Sequence, residues 1–248
     1  MVQQALNKKI FSVLAILLLN GCASDEHVSM VNKTPEEVYQ EAEKMLKNRD
    51  FSDAAKKFRD VDTYFPYTEK AAQSQVMSGY CSFLAEDYVD ALRTLEVFLR
   101  YHPSHVLVPY ALYLRAMCFY VNIPSVGRDY KKALEAKNSF VELINRFPNS
   151  PYVEDSVKRV IILDDIIAAH ELMVGRYYQK NKSALAAISR YNRVVGEFAH
   201  TRSCEEAYYR IWECCKAAQL NDEANTAAEA LKSQFPKGHW CNKLQAGR

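Results

Sequence analysis

The sequence predicts an all-α chain, a right-handed solenoid of five helical hairpins with one long helix between the third and fourth. Three observations predict it. Glycine is scarce, seven in 248 residues, and most stretches are rich in Ala, Leu, Glu and Lys, a composition that favours helix. One spacing recurs five times: alanine, three residues, a mostly bulky residue, seven residues, then proline. Finally, Tyr152 to Ile167 runs without a breaker into the next helical pattern.

The five instances are Ala54/Phe58/Pro66, Ala91/Leu95/Pro103, Ala136/Phe140/Pro148, Ala187/Tyr191/Ala199 and Ala224/Ala228/Pro236. Five residues before each last member an apolar side chain recurs: Val61, Phe98, Leu143, Val194 and Leu231. Residues four apart share a helix face, so the alanine and the bulky residue lie on one stripe, and the alanine lets a neighbouring helix approach closely. Proline ends the helix. Each instance is therefore the second helix of a hairpin, which is the second half of a tetratricopeptide motif. Ala199 in place of proline and Ala228 in place of the bulky residue are the two degenerate positions.

First helices are expected over Pro35–Asn48, Lys70–Ala85, Val106–Val121, Ala168–Lys180 and Arg202–Gln219. Thr34 before Pro35-Glu36-Glu37 reads as a cap with carboxylates in the first turn. In the fourth repeat Val174, Gly175 and Tyr178 match the motif's Leu-Gly-x-x-Tyr signature, and Gly79 takes the small position in the second. Successive repeat ends lie 37, 45, 51 and 37 residues apart, against a usual period of about 34. An insertion is thus expected in the third repeat, at Asn122-Ile123-Pro124-Ser125-Val126-Gly127. Tyr152–Ile167 should lengthen the fourth repeat's first helix into a rigid spine.

The N-terminus reads as a leader. Lys8 and Lys9 precede an apolar run from Ile10 to Leu19, broken only by Ser12, too short to span a bilayer but suited to a signal peptide. It ends in Leu19-Asn20-Gly21-Cys22, which resembles the bacterial lipobox, so residues 1–21 are expected to be removed and Cys22 to carry a covalent lipid. Ala23, where aspartate would retain a lipoprotein in the inner membrane, favours the periplasmic face of the outer membrane. The expected organisation is a leader (1–21), a lipidated linker (22–33), repeats one to three (34–150), then repeats four and five with a tail (151–248).

Charge and motif content exclude several function classes. With 32 basic and 30 acidic residues mixed along the chain, no dense basic footprint for nucleic acid exists. The six histidines are scattered, no CxxC, glycine-rich phosphate loop, G-x-S-x-G or H-E-x-x-H occurs, and Asp164/Asp165 are adjacent on a helix and diverge. No catalytic residue, metal site or cofactor beyond the lipid is expected. Cys81 and Cys118 fall in apolar helical stretches as buried thiols, whereas Cys204, Cys214 or Cys215 could reach Cys241; spacing leaves that pairing open. A concave helical-repeat surface suits extended or helical segments of other proteins. Tyr64, Tyr67, Tyr80, Phe83 and Tyr113 are candidates for an aromatic groove, although aromatics at helical spacing also pack neighbouring hairpins. Arg115 is the candidate for a peptide's terminal carboxylate, or else the partner of a nearby acid.

The chain also resembles the BamD (ComL/YfiO) family of outer-membrane assembly lipoproteins over about Lys33 to Pro236. The resemblance rests on Thr34-Pro35-Glu36-Glu37-Val38-Tyr39, Tyr64-Phe65-Pro66-Tyr67, His102-Pro103-Ser104-His105 with Tyr110-Ala111-Leu112-Tyr113-Leu114-Arg115, Arg146-Phe147-Pro148-Asn149-Ser150-Pro151-Tyr152 and Gly175-Arg176-Tyr177-Tyr178. Ala116, where many members have glycine, Ala199 and the cysteines depart from the family pattern.

The resemblance implies a non-enzymatic subunit of the machinery that folds β-barrel proteins into the outer membrane. The C-terminal repeats would dock on periplasmic domains of the BamA-like barrel subunit through Arg190, Arg176 and Tyr177. The N-terminal repeats would meet the aromatic-rich signal of unfolded barrel substrates at Tyr64, Tyr67, Tyr80, Tyr113 and Arg115. Other assembly lipoproteins would join the complex. The alternative is a periplasmic repeat lipoprotein that scaffolds cell-wall or division proteins, since the fold alone names no partner.

Overall fold

The computed structural model describes residues 32–123 and 130–246, and among them there are eleven helices and no strand. The leader, Cys22 and most of the third-repeat insertion lie outside the described residues. In chain order the helices are α1 (Pro35–Lys47), α2 (Phe51–Tyr64), α3 (Glu69–Leu84), α4 (Tyr88–Tyr101), α5 (Val108–Val121), α6 (Lys131–Arg146), α7 (Val153–Lys180), α8 (Ala184–Glu197), α9 (Ser203–Ala217), α10 (Asn221–Gln234) and α11 (His239–Ala246). The even-numbered helices α2 to α10 contain the five repeats of the sequence spacing.

The chain divides into two compact units between Ser78 and Gly79, within α3. In the first unit α1 packs against α2. Its start is fixed by a capping box: the Glu37 amide donates to the Thr34 hydroxyl, and the Thr34 amide donates to the Glu37 carboxylate at 2.7 Å. Val38, Tyr39 and Ala42 meet a core with Ala54, Phe58 and Val61, in which Tyr39 stands edge-on to Phe58 with ring centres 5.1 Å apart. Ser78 closes this unit by donating to the Ala55 carbonyl at 2.9 Å.

In the second unit the helices from α4 to α10 pack successively. Helix α7 runs 28 residues without interruption and packs against α6, α8 and α9. Its inward stripe, Leu163, Ile167, Glu171 and Gly175, has the four-residue spacing of one helix face. Phe140 from α6 and Tyr191 from α8, both fully buried, fill the core on either side of it. Burying such a side chain stabilises the fold by roughly 1.5–3 kcal/mol.

The turns inside the hairpins share a device that the sequence does not advertise. Arg49, Glu86, Lys182 and Gln219 all have φ between 60° and 68°, in the left-handed region, although none is glycine. Each lies one residue beyond the helix cap. In each, the residue after it donates back to a carbonyl five residues earlier, as Asp50 does to Met45 at 3.0 Å and Ser183 to Tyr178 at 2.9 Å. This six-to-one bond is the Schellman closure, and it satisfies otherwise orphaned carbonyls.

The C-terminal tail forms a further helix, α11. Glu205 of α9 accepts from the amides of Trp240 at 2.7 Å and Cys241 at 3.2 Å, which satisfies donors at the start of that helix. A Cβ on Gly238 would lie 2.0 Å from the same carboxylate, so a larger residue there would push Glu205 off the two amides that it holds. All six described cysteines are buried free thiols, and the pairing of Cys204, Cys214 or Cys215 with Cys241 is not made. Burial pushes Cys81 and Cys118 up to about 12, and Cys204 and Cys214 up to about 11, which suits inert core residues.

Gly175 exists for close packing, since a Cβ there would fall 2.3 Å from the Tyr191 ring. Tyr191 cannot swing away freely, because its hydroxyl donates to Gln179 at 2.8 Å. Gly175→Ala should therefore destabilise the protein by about 1–3 kcal/mol despite alanine's better helix propensity, measured by chemical denaturation. An unchanged or raised midpoint would contradict this packing.

Candidate partner-binding site

The expected barrel-facing residues lie on α7 and α8, in the second unit. Glu171 is fully buried on the inward stripe of α7 and takes two arginines from α8: Arg190 donates to it at 3.1 Å and Arg193 at 2.7 Å. The two arginines are three apart on α8 and so face the same neighbour. Arg193 also donates to the Tyr130 hydroxyl at 3.2 Å and to Glu197 at 3.2 Å. The Arg190 side chain stays 40% exposed, held from below by Glu171 and open from above. The hydrogen bond and charge of Glu171 raise its already high pKa, so it is a permanent cation in a fixed place.

Arg176 forms a bidentate pair with Glu206 of α9, through Nε at 2.9 Å and Nη2. Glu206 also accepts from Arg210 at 3.0 Å, and Arg210 reaches Glu213 at 2.9 Å. Gln179 donates to Glu213 at 3.2 Å and accepts from Tyr191. Arg176 thus belongs to a polar network that ties α7 to α9. Tyr177 beside it is 65% exposed, its ring edge-on to Tyr178 at 5.8 Å.

The expected groove residues fall in different units. Tyr64 is half-buried at the end of α2 and Tyr67 is fully exposed in the turn after it, both in the first unit. Tyr80, Tyr113 and Arg115 lie in the second. There a series of rings links Tyr80 to Tyr110 at 6.2 Å, Tyr110 to Tyr152 at 5.4 Å, and Tyr152 to Tyr113, stacked at 5.1 Å. Tyr113 donates to Asp155 at 2.8 Å, and Arg159 donates to the same oxygen at 2.5 Å while lying 4.8 Å over the Tyr120 ring. Tyr110 and Tyr152 were not among the expected site residues. Both stand in the stretches that carry the resemblance, which was the available signal.

Arg115 has an internal partner. Its Nη2 donates to Glu142 at 2.6 Å and its Nε to Ser139 at 3.2 Å, and Arg146 donates to the other Glu142 oxygen at 2.5 Å. The neighbouring-acid reading of Arg115 therefore describes the free chain. Sequence reasoning also missed Glu171, although its four-residue spacing from Ile167 and Gly175 marks it as core-facing.

What the fold and these surfaces define first is a class: an all-α protein of tetratricopeptide-like hairpins. The chain belongs to the family described as YfiO, outer membrane lipoprotein, which matches residues 31–231. A relative named outer membrane protein assembly factor BamD in Rickettsia prowazekii is 32% identical over 236 residues, covering 95% of this chain and 94% of the relative. Proteins of the same name in Caulobacter vibrioides and Neisseria gonorrhoeae are 29% and 30% identical, each covering 93% of this chain and covering 77% and 92% of those relatives. No described helix is long and apolar enough to cross a membrane, and the described residues hold no cluster of His, Cys, Asp and Glu suited to a metal.

The Glu142 cluster makes an acid-stability prediction. Burial works against its ionised form, but the hydrogen bonds and charges of Arg115 and Arg146 prevail and hold its carboxyl below the usual value. A depressed folded pKa contributes stability that is present above the ordinary carboxylate value and is lost as pH falls through the folded one. Glu142→Gln should therefore cost stability at neutral pH and flatten the loss of stability on acidification, followed by denaturation at a series of pH values. A variant that keeps the full acid loss would show that Glu142 does not contribute to it.

Proposed function

We propose that this chain is a lipid-anchored, non-catalytic subunit of the machinery that folds and inserts β-barrel proteins into the outer membrane. The observation that carries this reading is its near-full-length relationship to proteins named as outer membrane protein assembly factors. Cys22 carries the lipid, and the polypeptide stands on the periplasmic face. Two or three acyl chains, each methylene worth roughly 0.8 kcal/mol when buried, hold the protein to the membrane without a spanning helix.

In this reading residues 34–150 face the substrate and residues 151–248 face the barrel subunit. Arg190, Arg176 and Tyr177 form the contact with that subunit's periplasmic domains. Arg190 is suited to it because Glu171 already orients the guanidinium and a partner carboxylate could take its exposed side. The stacked tyrosines around Tyr113, together with Tyr80, offer faces for the aromatic side chains of unfolded barrels within the second unit, and Tyr64 and Tyr67 offer theirs within the first. Arg115, held by Glu142 and Ser139, is the candidate for the signal's terminal carboxylate. Other assembly lipoproteins complete the complex. No observation favours the cell-wall scaffold.

A tagged pull-down of the protein from detergent-solubilised envelopes tests the reading. It should recover a large β-barrel protein with periplasmic repeat domains; recovery of cell-wall enzymes without a barrel would overturn the reading. Arg190→Gln is the informative variant, since a glutamate there would face buried Glu171 and disturb the fold itself. Arg193 keeps Glu171 partnered, so Arg190→Gln should fold and lower barrel recovery roughly tenfold. Normal recovery would remove Arg190 from the contact. Separately, Cys22→Ala should release the protein into the soluble periplasmic fraction. Retention in the membrane pellet through high-salt washing would show that the lipid is not the anchor.

A further inference from the structure

A cavity of about 550 Å³ opens between α8, α9 and α10, within the second unit and away from the residues assigned above. It is of the size that takes two or three side chains or a small ligand. Ile188 and Val195 of α8, Ile211 and Cys215 of α9, and Ala227 of α10 line it, so it is largely apolar. It stays open for a local reason. The bulky core residues of α8, Tyr191 and Val194, point to the buried side, while beyond its first turn α10 presents Thr226, Ala227 and Ala230 to the cavity. These side chains are too short to fill it. At the rim Leu185 is 72% exposed, an apolar side chain left in water.

The rim is also charged, and with one sign. Asp222 and Glu223, in the first turn of α10, both line the opening, and neither has an ion-pair partner among the described residues. Lys216, the nearby cation, donates to Asn221 at 3.2 Å instead. A helix N-terminus tolerates carboxylates well, which explains why they are stable there. Their place beside an apolar opening gives any occupant a direction: apolar side chains within, positive charge at the α10 end.

We propose that this cavity docks a short segment of a partner protein whose two or three aliphatic side chains enter it and whose flanking lysine or arginine pairs with Asp222 and Glu223. Charge complementarity selects this occupant over an acidic or purely apolar one. A helical segment with anchors three and four residues apart matches an apolar groove of this size. The cavity lies within the half that the assembly reading turns toward the barrel subunit, but none of the contact residues named there lines it, and the inference stands on the cavity itself.

The test uses the mature chain from Ala23 onward, free of detergent, and two labelled twelve-residue helical peptides with leucines spaced three and four apart. One peptide ends in two lysines and the other in two glutamates. The lysine peptide should bind saturably and at least tenfold more tightly than the glutamate peptide. Reversing the rim with Asp222→Lys and Glu223→Lys should invert that preference. Thr226→Trp, which fills the cavity from an exposed position, should weaken lysine-peptide binding at least tenfold with helix content unchanged. Should Thr226→Trp fail to fold, Leu185→Glu at the rim is the second variant, with the same expected loss. Equal affinity for the two peptides, no saturable binding, or binding indifferent to these variants would overturn the proposal. Self-association of the chain that is abolished by Thr226→Trp would assign the cavity to a second copy and overturn it as well.

Discussion

The close pairing of helices in this protein rests on one small side chain in every second helix. Ala54, Ala91, Ala136, Ala187 and Ala224 are each fully buried. The large side chains that fill each core, Phe58, Leu95, Phe140 and Tyr191, stand four residues further along and are equally buried. Small and large therefore alternate along one face, and the partner helix settles where the alanine lets it come close. The first helices answer in kind at Gly79 and Gly175, where a Cβ would press on Leu95 at 2.9 Å and on Tyr191 at 2.3 Å. In such packing, enlarging a small position is destabilising, as emptying a large one is.

Around α7 this apolar constraint is joined by buried charge. Glu171 takes Arg190 and Arg193, and Asp164 takes Lys137 at 2.6 Å and His200 at 3.0 Å. The long helix is thus tied by ion pairs to the helix before it and to the helix after it, and His200 brings the turn that follows α8 to the same Asp164 carboxylate. A buried carboxylate with two cationic partners adds position more than stability, because desolvation offsets much of the attraction. In this case the position matters: the surplus positive charge is carried to the surface at Arg190, at a fixed height above the core.

The repeat pattern was legible because it is written in residue size and spacing. All five alanine positions, the apolar position three residues before each second helix ends, and the continuous run into α7 follow from it directly. The Thr34 cap was equally plain, since its four residues are adjacent in the chain. What escaped the sequence depends on contacts that bring distant residues together or on backbone angles that residue type does not announce. Arg49, Glu86, Lys182 and Gln219 adopt a conformation usually given to glycine, imposed by the hairpin closure around them. The final helix needs Glu205, which precedes it by more than thirty residues and caps it through space. Arg115 and Glu142 meet across two helices. Among the candidate site residues, the family resemblance pointed to Arg190 but not to the buried acid beneath it.

The relatives of this protein are named for assembling outer membrane proteins. A role in that assembly is best tested in cells, by depleting the protein and following newly made β-barrel proteins. Their folded state is read from heat-modifiable mobility in the outer membrane fraction. Folded barrels should fall and unfolded ones accumulate before growth stops. Normal folding of barrels throughout depletion, with defects confined to the cell wall or division, would contradict it.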